Sequence, residues 1–281
     1  MRAAFFDLDK TVIAKGSIPA FGRSFRRGGL INRRVVLRAV IGQLIYLHLG
    51  ADEHRLARIR ESMLALTRGW ERDRVREIVR ETLLETVEPL IFKEALELMG
   101  AHRLAGDRVY LVSASPEEIV APLAELLGAD GAIASIGEVD ERGCYTGKMG
   151  FYAYGEGKAD AIRALAARTG IDLGESTAYS DSATDLPMLD AVGHPVVVNP
   201  DRALARIARE RGWEVRQFTK PVRLRNRVSM RTPVLTTGLA LAAGVVVLWW
   251  RGRRGRIRAQ TSTAAAAVLR TAGAAVPRHA I

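Results

Sequence analysis

Cysteine is nearly absent. Among 281 residues only Cys144 occurs, which excludes an intrachain disulfide and a cysteine-rich metal site. The five histidines, His48, His54, His102, His194 and His279, are scattered without metal-ligand spacing. The amino terminus lacks a secretory signal, because Met1-Arg2-Ala3-Ala4-Phe5-Phe6 offers only a short apolar run before Asp7. The folded body is therefore expected in the cytoplasm. Acidic residues are missing from the end of the chain: all 31 lie at or before Glu214, together with 29 of the 42 basic ones. The formal charge of +11 thus comes from a tail, residues 216–281, that holds the other 13 basic residues and no Asp or Glu. A nearly neutral body argues against a basic nucleic-acid-binding domain, even at an isoelectric point near 10.3, and no nucleic-acid partner is expected.

The first 215 or so residues are of ordinary composition and long enough to bury a full core. Residues 3–6 form an apolar run that ends in Asp7-Leu8-Asp9-Lys10-Thr11, as a buried parallel strand delivers polar residues to its carboxyl edge. Residues 13–95 read as an inserted, mostly helical subdomain that Pro89 interrupts near its end. From Ile91 onward helix and strand signals alternate, with strands near 109–112, 132–136, 176–179 and 195–198 and helices near 91–104, 158–168, 185–191 and 200–212. Ser115 and Pro116 suit the N-cap and first position of a further helix. Alternation of this kind predicts a doubly wound parallel sheet, whose ligands bind beyond the carboxyl ends of the strands.

Those strand ends carry the chemistry. Asp7, Asp9 and Thr11 follow the first strand, Ser113 follows 109–112, and Asp181 and Asp185 follow 176–179. Two carboxylates two residues apart can divide labour, one attacking or binding metal and the other transferring a proton. Asp181 and Asp185 can complete an oxygen-rich site for a hard cation such as Mg²⁺. Lys158 in a first helical turn opposes the helix dipole and calls for an anionic partner. Ser113 offers a hydroxyl and neighbouring backbone N–H groups to an anion.

Four segments in order, FFDLDKT, LVSAS, GEGKADAIRAL and YSDSATDLPML, resemble the motifs of the haloacid dehalogenase (HAD) superfamily, in the branch typified by phosphoserine phosphatases. The resemblance covers nearly all of residues 1–215. It implies a Rossmann-like catalytic core over 1–12 and 96–216, with 13–95 as a helical cap. It implies Asp7 as the nucleophile that forms an aspartyl-phosphate, and Asp9 as the acid and base that serves the leaving alcohol and then water. Mg²⁺ would be held by the Asp7 carboxylate, the Asp9 backbone carbonyl and Asp181, with Asp185 supporting the metal shell or Lys158. Ser113 and Lys158 would bind phosphoryl oxygens. One departure concerns the substrate: phosphoserine phosphatases carry a carboxylate nine residues after the nucleophile, and here that position is Gly16.

The tail is read separately. After a basic linker at 217–231, the 19 uncharged residues 232–250 would span about 28 Å as a helix, close to a bilayer core of about 30 Å. Trp249 and Trp250 close the segment, arginines flank both ends, and 251–281 reads as a basic and then disordered stretch. The expectation is a single-pass cell-membrane protein with its catalytic domain in the cytoplasm. It would be a Mg²⁺-dependent phosphomonoester hydrolase acting on a phosphorylated small molecule or a lysophospholipid-type substrate. The competing expectation is a membrane-anchored regulatory protein that uses the same fold without turnover.

Overall fold

A computed structural model describes residues 1–31, 61 and 64–219. Its centre is strand β1 (Ala3–Asp7), buried along its whole length and paired in parallel on both sides. On one side lies β2 (Arg108–Pro116), in register from Ala3 opposite Arg108 to Asp7 opposite Val112. On the other lies β5 (Thr177–Ser180), with Phe6 opposite Tyr179. With β3 (Gly131–Val139), β4 (Tyr145–Phe151), β6 (His194–Val198) and β7 (Glu214–Arg216) the sheet has the order β4-β3-β2-β1-β5-β6-β7. All neighbours are parallel except the β3–β4 hairpin, which turns through Asp140-Glu141-Arg142-Gly143 with Gly143 N–H donating to Asp140 O. This is the α/β parallel sheet expected. The terminal β7 adds a strand that the sequence reading omitted.

Alternate side chains of β1 feed two cores, one on each face. Ala4 and Phe6 join Val109, Leu111 and Tyr179 under α1 (Ser17–Arg27), α2 (Arg72–Val87), α3 (Lys93–Leu104) and α4 (Glu117–Leu126). Ala3 and Phe5 join Val112, Ala178 and Val197 under α5 (Glu156–Thr169), α6 (Leu186–Asp190) and α7 (Arg202–Arg211). The helices α1 and α2 lie within 13–95, yet Phe21, Phe25, Ile78 and Val79 belong to the same apolar cluster as Ile119 and Leu123 of α4. The described part of the insertion therefore shares the core of the sheet. The hairpin reinforces this, since Gly69 N–H donates to Tyr145 O, Tyr145 N–H to Trp70 O and Arg72 N–H to Gly143 O.

Two expectations are corrected. Pro116, extended at φ −60° and ψ 144°, is the N-cap of α4, and Ser115 lies inside β2. The packed body also runs past residue 216, where a linker was expected to begin. Phe218 is buried against Phe92 at 5.9 Å between ring centres. Its backbone N–H donates to Asn199 Oδ1 at 2.9 Å and its carbonyl accepts from Asn199 Nδ2 at 3.0 Å, while Thr219 N–H donates to Glu94 Oε1. Asn199 takes φ 43°, a left-handed conformation that asparagine tolerates better than most residues. The stretch 232–250, read as a transmembrane helix, lies outside the described residues. Among the described residues no helix is long and apolar enough to cross a membrane.

If Phe218 is part of the core, Phe218→Ala leaves a void beside Phe92 and lowers unfolding free energy by about 3 kcal/mol. Urea unfolding checks this, and a loss below about 0.5 kcal/mol would mean a merely apposed end segment.

Candidate active site

The carboxyl end of β1 delivers Asp7, which is 6% exposed. The chain then makes a compact loop in which Val12 and Ile13 N–H both donate to Leu8 O and Lys10 N–H donates to Ile13 O. Lys10 takes φ 67°, uncommon for a residue with a Cβ, and its exposed side chain reaches toward Asp181 at 3.8 Å. Asp9 in this loop meets the start of the insertion, where the Ser17 N–H lies 2.7 Å from its Oδ1. Thr11 Oγ1 is buried and has no hydrogen-bond partner among the described residues.

Lys158 is the third residue of α5 and only 3% exposed. A lysine there meets the positive end of the helix dipole and loses its hydration. Two carboxylates offset both costs: Nζ donates to Asp7 Oδ1 at 2.6 Å and to Asp185 Oδ2 at 2.8 Å. Ser180 Oγ donates to the same Asp185 oxygen at 2.7 Å. Asp185 occupies the N-cap position of α6 but makes no side-chain capping bond there, so its carboxylate serves the lysine instead. Burial pushes the Asp7 carboxyl up to about 7, although Lys158 pulls it back. Burial works against the Lys158 ammonium too, yet Asp7 and Asp185 outweigh it and hold its pKa above the ordinary lysine value.

Asp181 follows β5, and burial pushes its carboxyl up to about 6 against the pull of Lys10. Its backbone carbonyl accepts Asp201 N–H at 2.8 Å, and Asp201 in turn caps α7 and accepts Ala183 N–H, so the loop after β5 is fixed from below. Ser113, 2% exposed in the carboxyl half of β2, accepts Ser115 N–H on its Oγ at 3.1 Å, which leaves its own O–H to donate elsewhere. Asp9 accepts Ser17 N–H on Oδ1 at 2.7 Å and Ser115 Oγ–H on Oδ2 at 3.3 Å.

The six residues singled out from the sequence therefore gather at one sheet edge, though not as one hydrogen-bonded cluster. Asp7, Lys158 and Asp185 are in direct contact, Asp181 is reached through Lys10, and Asp9 is linked to the Ser113 segment through Ser115. Among the described residues no group of three or more Asp, Glu, His or Cys side chains is arranged to hold a metal by side chains alone. The donors are nonetheless all oxygen. Three buried carboxylates face one buried ammonium and the exposed Lys10, a balance that suits one added hard cation. Ser17, Ser115, Ser180 and Asp201 were missed. Ser115 and Ser180 lie inside recognisable segments, whereas Ser17 has no local signal. Two surface hollows, one lined by Glu94, Arg216 and Phe218 and the other by His102, Asp107 and His194, contain none of these residues.

Residues 4–190 match the family of haloacid dehalogenase-like hydrolases. The chain belongs to this family. A Mycobacterium tuberculosis protein named as a probable phosphatase is 52% identical over 250 residues, covering 87% of each chain. A Streptomyces azureus protein named for inhibition of morphological differentiation is 49% identical over 259 residues, covering 90% of this chain and 94% of its own. Among solved structures, a Bordetella pertussis protein of unknown function superposes with a TM-score of 0.66 at 30% identity, over 76% of this chain and 97% of its own.

The buried ion group of this HAD-like hydrolase is open to a stability test. Lys158→Met leaves Asp7 and Asp185 buried side by side without their cation, and is expected to cost about 3–5 kcal/mol. With chelator present the cost is largest above neutrality. A carboxyl whose folded pKa is raised holds its proton when the unfolded chain has released it, so stability falls as pH rises from about 4 toward the Asp7 value of about 7. Removing the ammonium extends that decline upward. Unfolding curves at pH 5 and pH 8 check this, and an equal cost at both would show that Lys158 does not compensate ionised Asp7.

Proposed function

We propose that the protein is a phosphomonoesterase that works through an aspartyl-phosphate on Asp7. The observation that carries the reading is the Asp7 carboxylate at the end of the central strand, held 2.6 Å from a buried ammonium. A carboxylate approaches a phosphate dianion only where cations offset the repulsion, and Lys158 supplies one of them. Asp7 attacks phosphorus, and the bond to the leaving oxygen breaks as Asp9 gives that oxygen a proton. Asp9 then takes a proton from the water whose oxygen displaces Asp7 and frees inorganic phosphate. The Ser113 hydroxyl, free to donate, and Lys158 bind phosphoryl oxygens. Asp185 holds the lysine in place. The Asp7 carboxylate, the Asp9 backbone carbonyl and Asp181 would hold Mg²⁺, which when bound neutralises and polarises the phosphoryl group.

The described part of the 13–95 insertion supports a cap role, since α1 starts at the site and its first N–H contacts Asp9. Gly16, the N-cap of α1, stands where phosphoserine phosphatases carry a carboxylate. That favours a phosphoester without the amine of phosphoserine, either a small metabolite or a lysophospholipid-type intermediate. The name of the Streptomyces azureus relative points to a regulatory role, and the alternative reading is a fold that binds a phosphorylated ligand without turnover. A metal-dependent assay on a generic phosphate ester separates the two. Asp7→Asn is expected to remove turnover while leaving the fold intact, and Asp9→Asn to lower it roughly 10²–10⁴-fold. Mg²⁺ is expected to raise the melting temperature of the wild type and not of Asp181→Asn. More than about a tenth of wild-type activity in Asp7→Asn would overturn the covalent route.

The tail is proposed to tether this enzyme to the membrane, with the catalytic domain on the cytoplasmic side. Full-length protein is then expected to pellet with membranes and resist high-salt extraction, whereas a chain ending at residue 218 stays soluble and active on a water-soluble ester. Leu241→Arg with Val245→Arg is expected to release it, since a charge near a helix centre costs roughly 2.5–3.5 kcal/mol on insertion scales. Full-length protein that fractionates as soluble without detergent would overturn the tether and leave the catalytic reading intact.

A further inference from the structure

The Asp9 carboxylate is gripped from two sides by groups that neither ligate a metal nor touch Asp7. Oδ1 accepts the backbone N–H of Ser17, the first residue of α1, at 2.7 Å. Oδ2 accepts Ser115 Oγ–H at 3.3 Å, and Ser115 Oγ lies 2.6 Å from Ser17 Oγ. Both serines are buried, at 0% and 2% exposure. Ser115 N–H is fixed in turn by Ser113 Oγ. We propose that Ser17 and Ser115 are a positioning pair that aims the Asp9 carboxyl at the leaving oxygen. The inference rests on the phosphatase reading above and deepens it.

The chemistry of two linked hydroxyls is what suits them to the task. An acid that becomes a base within one turnover presents a donor first and an acceptor afterwards. When Asp9 is ionised, Ser17 Oγ–H donates to Ser115 Oγ and Ser115 Oγ–H donates to Oδ2. The proton that Asp9 transfers lies on the other lone pair of Oδ2, so the Ser115 bond stays in place while that proton reaches the leaving oxygen. With Ser17 donating to Ser115 and Ser115 donating to Oδ2, both buried hydroxyls have a partner. The Ser17 backbone N–H on Oδ1 fixes the plane of the carboxyl group. In the productive step the Oδ2 proton passes to the leaving oxygen as its bond to phosphorus breaks. In the next step Oδ2 takes a proton from the attacking water.

The test compares two esters through kcat/KM, which reports the steps up to release of the alcohol. The leaving oxygen of glycerol 2-phosphate needs a proton, whereas that of p-nitrophenyl phosphate scarcely does. Ser115→Ala is expected to lower kcat/KM on the glycerol ester about tenfold or more and on the nitrophenyl ester less than about threefold, with Ser115→Thr restoring most of the loss. Ser17→Pro removes the N–H at a first helical position, where proline is tolerated after the extended Gly16 (ψ 134°), and is expected to show the same selectivity more strongly than Ser17→Ala. Circular dichroism of each variant reports folding. A fall by one common factor on both esters, or no fall on either, would overturn the positioning role. Asp9→Asn serves as the reference: if it is selective and Ser115→Ala is not, the pair is refuted and the phosphatase reading stands. Wild-type protein inert on both esters would refute that reading and the pair with it.

Discussion

The contact among Lys158, Asp7 and Asp185 constrains more of this fold than any other. Burying an ammonium or a carboxylate alone costs several kcal/mol, and their mutual attraction repays that cost only when the geometry is close and the remaining lone pairs are used. The three groups come from β1, from the first turn of α5 and from the loop after β5, so none can be satisfied until the central strands are in register. The Ser180 hydroxyl on Asp185 and the Asp201 amide on the Asp181 carbonyl fix the third element. The order β2-β1-β5 is therefore what brings the charges together. Even so, burial still presses on the carboxylates, since Asp7 and Asp181 both sit above the usual carboxylate range. The site is left with an appetite for positive charge.

Much of this was legible because parallel sheets place function at their edges. Asp7 and Ser113 each follow an apolar run, and a strand that ends on a polar residue can be read from order alone. Lys158 was legible by its conflict with the helix dipole, which implied the anions that the structure supplies. Ser115 was misread for an instructive reason. Ser-Pro-Glu-Glu is a sound local start for a helix, and the helix does begin there, one residue later than expected. A long-range partner, Asp9, outcompeted the local cap, and no local pattern carries that information. Strand β7 was missed because Glu214-Val215-Arg216 is short and half polar, and becomes a strand only by pairing with β6. The linker boundary failed in the same way, since one aromatic, Phe218, does not announce that Phe92 and Asn199 are waiting for it.

The strained Lys10 shows how the loop meets two demands at once. Asp7 must face the lysine, and Asp9, two residues on, must face α1. In an extended strand the two would lie on the same face. The left-handed Lys10 lies beyond both and turns the chain after Asp9, and the Lys10–Ile13 and Leu8–Val12 bonds stabilise that turn. Local strain of this kind persists where its surroundings over-determine it. Here they include the pairing of Ile13 with Ile91 at the far end of the insertion.

That pairing bears on how the insertion works. Its two ends are bonded to each other at Ile13 and Ile91, and Phe92 N–H donates to Val12 O. Between them α1 and α2 bury Phe21, Phe25, Ile78 and Val79 in the cluster that also holds α4, and the β3–β4 hairpin hydrogen-bonds to residues 69–72. Separating α1 and α2 from the sheet would expose several large apolar side chains at once, each worth roughly 1.5–3 kcal/mol. So this part of the insertion behaves as a fixed wall of the site, and it can hold Asp9 through a backbone N–H because it does not swing away. A group that must present its proton along one line gains from a fixed neighbour, whereas a mobile lid would have to rebuild that bond on every closure.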